Sequence, residues 1–302
     1  MNLIVISELF PPEETSTAYI MGEITKTLSD KYNVTIVCGP EVYDQNKLTV
    51  LPKSSLIAGV TTIRVKGIKE NKANKLSRIR KFLLMSWRLY KASKKVINKG
   101  DKVLLVSNPF PLLILMAFHR KKMDYEISFL AHDLFPEPLL MRFKLPNLVY
   151  RQCLNIFNRS YARMDKIISL GRDMTDVLRE KTMPYNPNLE IIQIENWGDI
   201  NSIYPMDTHS DSDKITIEYA GNMGKSQKLD ALIEIFSKAN NKDLYLDFWG
   251  TGEQESYLKE KAQSVSNISF HGPYARASQN KVLNACDIAV ISLNKSILGM
   301  GV

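Results

Sequence analysis

The chain has little of what a secreted or membrane-spanning protein needs. Its 302 residues include three cysteines (Cys38, Cys153 and Cys286), which are far apart and set in apolar patterns. An odd, scattered set predicts buried thiols in a reducing cytoplasm and argues against disulfides or a structural zinc site. No stretch approaches the roughly 18 apolar residues of a membrane-spanning helix. The first residues lack a basic region, so we expect a first strand and not a signal peptide.

Several sequence motifs are also missing. Neither G-x-G-x-x-G nor G-x-x-x-x-G-K-[ST] occurs, which disfavours a dinucleotide-binding Rossmann domain and a P-loop. A nucleotide-sugar epimerase is disfavoured because residues 9–17 contain no glycine-rich loop. The four histidines (His119, His132, His209 and His271) show no metal-ligand spacing. The pair Asp211-x-Asp213 lies in a polar stretch and not at a strand end, where a catalytic metal site would be expected, so we expect no metal ion to take part in catalysis.

Alternating strand and helix patterns run along the whole chain and predict an α/β fold with parallel sheets. The predicted strands are 3–7, 34–38, 61–65, 102–106, 125–130, 166–170, 190–194, 215–220, 244–248, 268–270 and 288–293. Residues 206–213 are polar and unpatterned, and they follow Pro205. We therefore expect two Rossmann-like doubly wound domains, 1–204 and 214–302, joined by a linker over 205–213, with the second domain incomplete.

The stretch 215–229 carries the clearest chemical signal. An apolar strand pattern stops at Gly221-Asn222-Met223-Gly224, and Lys225 and Lys228 follow before a helical pattern. A strand that turns through glycines into a helix presents backbone N–H groups and the positive end of a helix dipole. With two lysines beside it, the turn predicts a cradle for a diphosphate. The alternative is that the glycines only allow tight packing between strand and helix.

Positive charge is concentrated between residues 64 and 102. This segment has fourteen Lys or Arg against Glu70 and Asp101, a net +12, so the remainder carries −4 of the overall +8. Apolar residues within it recur at near-helical spacing, among them Leu76, Leu83 and Trp87. The pattern predicts a basic amphipathic helix that can lie on an anionic membrane. The alternative is a surface helix whose apolar stripe packs on the core; no motif supports nucleic-acid binding.

Five separated motifs resemble the retaining glycosyltransferases of family four, above all bacterial enzymes of capsule and O-antigen synthesis, including N-acetylfucosaminyltransferases. The motifs are Leu9-Phe10-Pro11-Pro12-Glu13, Ala131-His132-Asp133-Leu134-Phe135-Pro136-Glu137, Ile194-Glu195-Asn196-Trp197-Gly198-Asp199, the turn Gly221–Lys228, and Phe248-Trp249-Gly250-Thr251-Gly252. The resemblance implies the two-domain GT-B fold and a nucleotide-sugar donor, with a UDP-sugar favoured. It also implies that the chain is truncated, since family members continue past the Gly-Val pair at 301–302.

The resemblance assigns roles to individual residues. The expected catalytic residues are His132, Asp133 and Glu137. Expected donor-binding residues are Gly221, Asn222, Gly224, Lys225, Lys228, Gly250, Gly252, Gly272 and Tyr274, with the nucleobase near Gly272 and Tyr274. Thr15, Ser16 and Arg172 are expected to contact the acceptor. Each has a simpler alternative, for example a helix-capping or first-turn role for a polar residue at a helix start.

The implied function is anomer-retaining transfer of a sugar to a lipid-linked saccharide in surface polysaccharide synthesis. We expect a cytoplasmic protein that is peripheral on the inner face of the cell membrane, with no cofactor, no metal and no nucleic-acid partner. The alternative is a truncated, catalytically defective binding module of the same family that still associates with the membrane.

Overall fold

The computed structural model describes residues 1–13, 15–41, 57–69, 75–137, 146–206, 214–239 and 241–301. They form two compact units. The first comprises Met1–Asn196 and the residues from Gly299 onward, and the second comprises Trp197–Leu298. Most of the predicted linker, 207–213, lies outside the described residues, so the linker stays a prediction.

The first unit alternates strands and helices. Its strands are β1 (Asn2–Ser7), β2 (Asn33–Cys38), β3 (Thr61–Arg64), β4 (Lys102–Val106), β5 (Glu126–Ala131), β6 (Lys166–Ser169) and β7 (Glu190–Gln193). Its helices are α1 (Ser16–Ser29), α2 (Lys75–Ser93), α3 (Pro111–Arg120), α4 (Asn147–Tyr161) and α5 (Arg172–Thr182). The strands form one sheet in the order β3-β2-β1-β4-β5-β6-β7, and every pairing is parallel.

Both faces of this sheet are covered by apolar side chains. One face packs with α2, α3 and α4 around residues such as Met85, Leu105 and Phe129, and the other packs with α1 around Val5 and Ile36. A parallel sheet with helices on both faces buries its strands completely, which is why β1 and β4 read as continuous apolar runs.

The second unit has the same strand order on a smaller scale. It contains β8 (Ile215–Ala220), α6 (Leu229–Ala239), β9 (Leu244–Trp249), α7 (Glu255–Ala262), β10 (Ile268–Gly272), α8 (Gln279–Leu283) and β11 (Ile288–Ala289). Short 3₁₀ turns span Lys225–Gln227, Arg276–Ser278 and Lys295–Ile297. The sheet order is β10-β9-β8-β11, again all parallel. Its core lies between the sheet and helices α6 and α7.

The predicted α/β fold class with parallel, doubly wound sheets is confirmed. The predicted strand 215–220 is found with the same limits, whereas two later predictions were too long. The predicted helix over 277–286 is a 3₁₀ turn followed by the five-residue α8, and the predicted strand over 288–293 is the two-residue β11. Within the described ranges, no helix is both long and apolar enough to cross a bilayer.

Candidate active site

The strand order of the first sheet reverses at β1, which has β2 on one side and β4 on the other. Ligands of open α/β sheets bind outside the carboxyl ends of the strands at such a point. Glu8 follows β1 there, and its side chain is buried. Its carbonyl oxygen accepts the N–H of Gly39 at 3.0 Å, and a Cβ on Gly39 would lie 2.4 Å from that oxygen. The close approach of these two backbones therefore requires a glycine.

Asp133 is held by the neighbouring strand. Its backbone N–H donates to Ser107 Oγ at 3.1 Å, and Asn108 Nδ2 donates to its Oδ2 at 3.0 Å. Ser107 and Asn108 directly follow β4, so β4 and β5 together position this carboxylate. Burial raises the pKa of Asp133, and the hydrogen bond from Asn108 opposes that rise. The carboxylate is thus fixed in place at the carboxyl edge of the sheet.

His132 is buried beside it, with 7% of its surface exposed. Its Nε2 has no hydrogen-bond partner in the part of the chain that the structure describes. Burial lowers the pKa of His132 to about 4, so the imidazole is neutral at physiological pH. The unpaired ring nitrogen of a neutral imidazole accepts or donates a hydrogen bond, depending on the tautomer.

The segment Gly299–Gly301 lies against this turn. The Leu134 N–H donates to the Met300 carbonyl at 2.8 Å, and Asp133 and Gly301 form an antiparallel bridge. A Cβ on Gly301 would lie 2.7 Å from Asp133 Oδ1. The segment therefore packs tightly on the residues that the sequence singles out as catalytic.

Glu137, the third predicted catalytic residue, forms an ion pair with Lys181 of α5. Both side chains are largely buried, so the pair links the end of the 132–137 turn to α5. This contact gives Glu137 a structural role. A catalytic role for Glu137 stays a prediction.

The three predicted acceptor-binding residues lie at helix starts. Thr15 is the N-cap of α1, and its Oγ1 accepts the N–H of Ala18 at 3.2 Å. Ser16 begins α1 and is exposed, and Arg172 is the exposed first residue of α5. The capping alternative for Thr15 is therefore realised, while Ser16 and Arg172 are open to solvent.

In the second unit, the predicted donor residues come together at the carboxyl ends of β8, β9 and β10. The Gly221 N–H donates to the Trp249 carbonyl at 2.9 Å, and the Gly250 N–H donates to the Gly272 carbonyl at 2.7 Å. A Cβ on Gly250 would lie 2.0 Å from the Gly221 oxygen, and one on Gly252 would lie 2.4 Å from the Met223 oxygen. These glycines let the turns of the unit pack on one another. This agrees with the alternative that the glycines allow tight packing, and their contact with a donor stays a prediction.

Lys225 and Lys228 are exposed and line one shallow open pocket. Its walls are formed by Gly224, Lys225, Lys228, Leu229, Asp230, Gln254 and Leu258. Helix α6 begins at Leu229, where the sequence pattern predicts it, so both lysines precede the helix. A 3₁₀ turn spans Lys225–Gln227, and Lys228 adopts a left-handed conformation with φ of +52°. The exposed Asn222 lies on the same turn, and its carbonyl accepts the Tyr219 hydroxyl at 2.8 Å.

Aromatic side chains line the neighbouring part of this edge. The Trp249 and His271 rings stack with centroids 4.3 Å apart, and Tyr274 meets Trp249 edge-on at 6.2 Å. Gly272 has φ of +78° with open space where a side chain would be. The predicted nucleobase residue Tyr274 is therefore part of an aromatic cluster with Trp249 and His271, and Gly272 directly follows His271.

A buried acid lies beside that cluster. Glu218 on β8 is 1% exposed and is paired in register with Asp247 on β9. Burial raises the pKa of Glu218 to about 7, the charge of Asp247 adds to the rise, and the nearby Trp249 indole opposes it. Asp247 also lies 3.3 Å from His271 Nε2. Among the described residues, no group of three or more His, Cys, Asp or Glu side chains could hold a metal ion.

The sequence analysis missed Glu8, Ser107 and Asn108. Each directly follows a buried strand next to the point where the strand order reverses. A polar residue after an apolar run was the available signal. Only the strand order shows that the ends of β1 and β4 are neighbours.

The chain is similar to glycosyltransferases. No protein-family model matches it. It is 24% identical over 317 residues to the probable glycosyltransferase WbjE of Pseudomonas aeruginosa, covering 100% of this chain and 76% of WbjE. Anabaena Alr3699/HepE in complex with UDP-glucose superposes with a TM-score of 0.63 at 14% identity, covering 97% of this chain and 74% of HepE. The catalytic domain of Arabidopsis thaliana starch synthase IV, bound to ADP and acarbose, gives a TM-score of 0.65 at 10% identity, covering 98% and 79%.

The chain has the GT-B fold. The superposition extends over both units, since each of these matches covers nearly the whole chain.

Proposed function

We propose that this chain is a glycosyltransferase that uses a nucleotide-sugar donor. The observation that carries the proposal is the carboxyl edge of the second sheet. There, three glycine turns pack together beside two exposed lysines and an aromatic cluster. The likeness to WbjE and to HepE, which was solved with UDP and UDP-glucose, supports the same assignment.

In this proposal the second unit binds the donor. Lys225 and Lys228 contact the diphosphate, beside the turn that Gly221, Asn222 and Gly224 form. Two ammonium groups stabilise the charge that a diphosphate gains as it leaves, and no metal ion is needed for that step. Tyr274 and Gly272 bind the nucleobase, and a UDP-sugar is the proposed donor.

The first unit provides the acceptor side and the groups next to the transferred sugar. His132 and Asp133 lie next to the sugar in this proposal, because both stand at the carboxyl edge of β5, where Asn108 holds Asp133 and the buried His132 Nε2 has no hydrogen-bond partner among the described residues. Ser16 and Arg172 are exposed at helix starts and are proposed to contact the acceptor.

The proposed reaction retains the anomeric configuration. The bond between the anomeric carbon and the β-phosphate oxygen breaks, and the acceptor oxygen bonds to the same face of that carbon. The acceptor proton passes to a β-phosphate oxygen, so a nucleoside diphosphate and the glycosylated acceptor are the products. Preorganised positive charge at the diphosphate supplies the stabilisation, as expected for electrostatic catalysis.

We further propose a lipid-linked saccharide as acceptor, in the synthesis of a surface polysaccharide at the inner face of the cell membrane. The basic helix α2 supports this location, because six of its nineteen residues are Lys or Arg and none is acidic. Such a helix is attracted to anionic lipid.

The test is donor binding to the purified chain. A thermal-shift panel of UDP-, GDP-, ADP- and dTDP-sugars should show stabilisation by one nucleotide class, with UDP expected. Calorimetry on the double variant Lys225→Ala/Lys228→Ala should then show binding weakened by about 2–4 kcal/mol, because each charge-assisted contact is worth about 1.5–3 kcal/mol and such contacts are rarely additive.

Lys238→Ala/Lys242→Ala serves as the matched control, since it removes the same charge from the same unit beyond the turn. Unchanged UDP binding in the Lys225/Lys228 variant would remove these lysines from the donor site. Donor binding without any transfer would favour the alternative of a defective binding module.

A further inference from the structure

Helix α2 exposes apolar side chains on the side that points away from the core. Met85 and Leu89 are buried against the sheet, and Trp87, two residues from each, lies about 200° around the helix from Met85 at 3.6 residues per turn. Trp87 is 50% exposed and Leu76 is 74% exposed. The apolar stripe that the sequence shows is therefore two stripes, and core packing accounts for only one of them.

This outer stripe continues across the next two helices. Helices α2, α3 and α4 pack side by side on one face of the first sheet. The Trp87 ring lies 5.7 Å from that of Tyr90, which packs on the core and meets the buried His119 of α3 at 5.7 Å, so Trp87 stands above the contact between α2 and α3. Phe118, the residue before His119, is 54% exposed, and the Arg163 guanidinium just beyond α4 lies 5.2 Å from its ring. On α4, Leu148 is 72% exposed.

These three helices contain no acidic residue. Their forty-four residues include nine Lys or Arg and not a single Asp or Glu. By contrast, helices α1, α5, α6 and α7 all contain acidic side chains, and the five-residue α8 is too short to form a comparable face. Some of the nine serve the fold: Lys81 is buried, Arg88 donates to the Lys66 and Gly67 carbonyls, and Arg120 pairs with Asp165. Arg80, Lys91 and Arg151 remain at the surface.

We propose that the outer face of α2, α3 and α4, here called the three-helix face, binds the surface of an anionic lipid bilayer by inserting Trp87, Phe118 and Leu148. The inference rests on the proposed membrane location and extends it from one helix to three. Surface lysines and arginines bring the face to anionic headgroups, and the apolar side chains then leave water at the headgroup boundary. Each basic residue near such a surface adds to the attraction.

A bilayer fits this face better than other anionic or apolar partners. A nucleic acid would match the charge, but it offers no apolar phase for a row of leucines on the outer side of α2 and α4. A second copy of the chain would match the apolar residues, but two acid-free faces would repel each other. Lipid satisfies both properties of the face at once.

The experiment is co-sedimentation with phosphatidylcholine vesicles, prepared with and without phosphatidylglycerol. The wild-type chain should bind only the vesicles that contain phosphatidylglycerol, and raised salt should release it. Trp87→Ser/Phe118→Ser should lower the partition coefficient at least about tenfold, because each side chain loses its apolar burial. Arg80→Glu/Lys91→Glu should lower it by about tenfold or more through charge alone.

Matched controls are available elsewhere on the chain. Ile235→Ser/Tyr257→Ser removes two exposed apolar side chains from α6 and α7, and Lys26→Glu/Lys31→Glu reverses two exposed charges at α1. Both controls should bind vesicles as the wild type does. Brominated lipid should quench tryptophan fluorescence in the wild type and much less in Trp87→Phe, which reports insertion directly.

Three results would overturn the inference: equal partitioning of the wild type and the Trp87/Phe118 variant, binding to duplex DNA without binding to vesicles, or a dimer in sedimentation velocity that Trp87→Ser dissociates. The thermal shift with UDP, run on the same samples, separates this outcome from the proposed function. A variant that is still stabilised by UDP but no longer binds vesicles has lost only the membrane contact of the three-helix face.

Discussion

At the scale of single residues, Glu218 is the least expected feature of the chain. An acid in the middle of a strand reads as a solvent-facing position, yet this side chain is 1% exposed and lies next to Asp247 in register. Its folded pKa of about 7 exceeds the ordinary value of 4.5. The folded state therefore holds the proton more tightly than the unfolded state does, and its stability falls as the pH rises from about 4.5 through 7.

Glu218→Gln should remove this pH dependence. The variant should match the wild type near pH 4.5 and exceed its free energy of unfolding above pH 7 by up to about 3 kcal/mol, since each pKa unit corresponds to about 1.4 kcal/mol. Urea unfolding across that range measures the difference. Asp247→Asn should recover less, because burial is the larger cause of the shift. Parallel pH profiles for wild type and Glu218→Gln would contradict the prediction.

At the scale of elements, the three glycine turns of the second unit behave as one packed layer. Gly250 has φ of +115° and lies against the Gly221 carbonyl, whereas Gly272 has φ of +78° and faces open space. Both need a backbone conformation that glycine favours, but only Gly250 also needs the absence of a side chain. Backbone hydrogen bonds from Gly221 to Trp249 and from Gly250 to Gly272 therefore connect the ends of β8, β9 and β10 in the protein without a donor.

Gly250→Ala should consequently destabilise the second unit more than Gly272→Ala. The left-handed conformation alone costs an alanine about 1–2 kcal/mol, which is the loss expected at Gly272. At Gly250 the collision with the Gly221 oxygen adds to it, so a loss of at least about 3 kcal/mol is expected. Thermal unfolding of both variants, followed by circular dichroism, measures the two losses. Equal losses would show that the turns can move apart to make room.

At the scale of the whole molecule, the same strand order occurs twice, with different chemistry at each edge. The first sheet places His132 and Asp133 at its carboxyl edge, and the second places Lys225 and Lys228 beside its own. Positive charge is unevenly distributed as well, because helices α2, α3 and α4, with nine Lys or Arg and no acidic residue, all belong to the first unit. We therefore expect the second unit to bind the donor and the first unit to bind the membrane.

Hydrogen exchange should separate these two surfaces. UDP is expected to slow amide exchange over 221–229 and 250–254, because bound phosphate orders the N–H groups of those turns. Vesicles containing phosphatidylglycerol are expected to slow exchange in α2 and α3 instead. In Lys225→Ala/Lys228→Ala, protection by UDP should disappear while protection by vesicles persists. Protection by UDP confined to the first unit would contradict the donor assignment.

Much of the fold could be predicted because strand and helix patterns are local. The limits of β4 and β8 agree with the prediction, and most of the other strands differ by about one residue at an end, since apolar residues predominate in each. The errors fall where propensity is weak. The predicted helix over 277–286 is a 3₁₀ turn followed by the five-residue α8, and β11 is short because only Ile288 and Ala289 pair with β8.

The candidate site could be predicted in part for the same reason. Residues that directly follow a strand, such as His132 and Gly221, could be placed at the edge of a sheet because a strand end is visible in the pattern. Ser107, Asn108 and Glu8 were missed because they matter only through the order of the strands, and that order is set by long-range pairing.

By itself, the sequence determined the α/β class, the alternation of elements and the basic character of residues 64–102, because periodicity and charge are local properties of the chain. Only the tertiary structure decided which residues meet. It brought Asn108 to Asp133 and Gly250 to Gly221, it paired Glu137 with Lys181, and it turned Trp87 away from the core. These contacts join residues far apart along the chain, and they depend on sheet order and on the side from which each helix packs, neither of which is encoded at a single position.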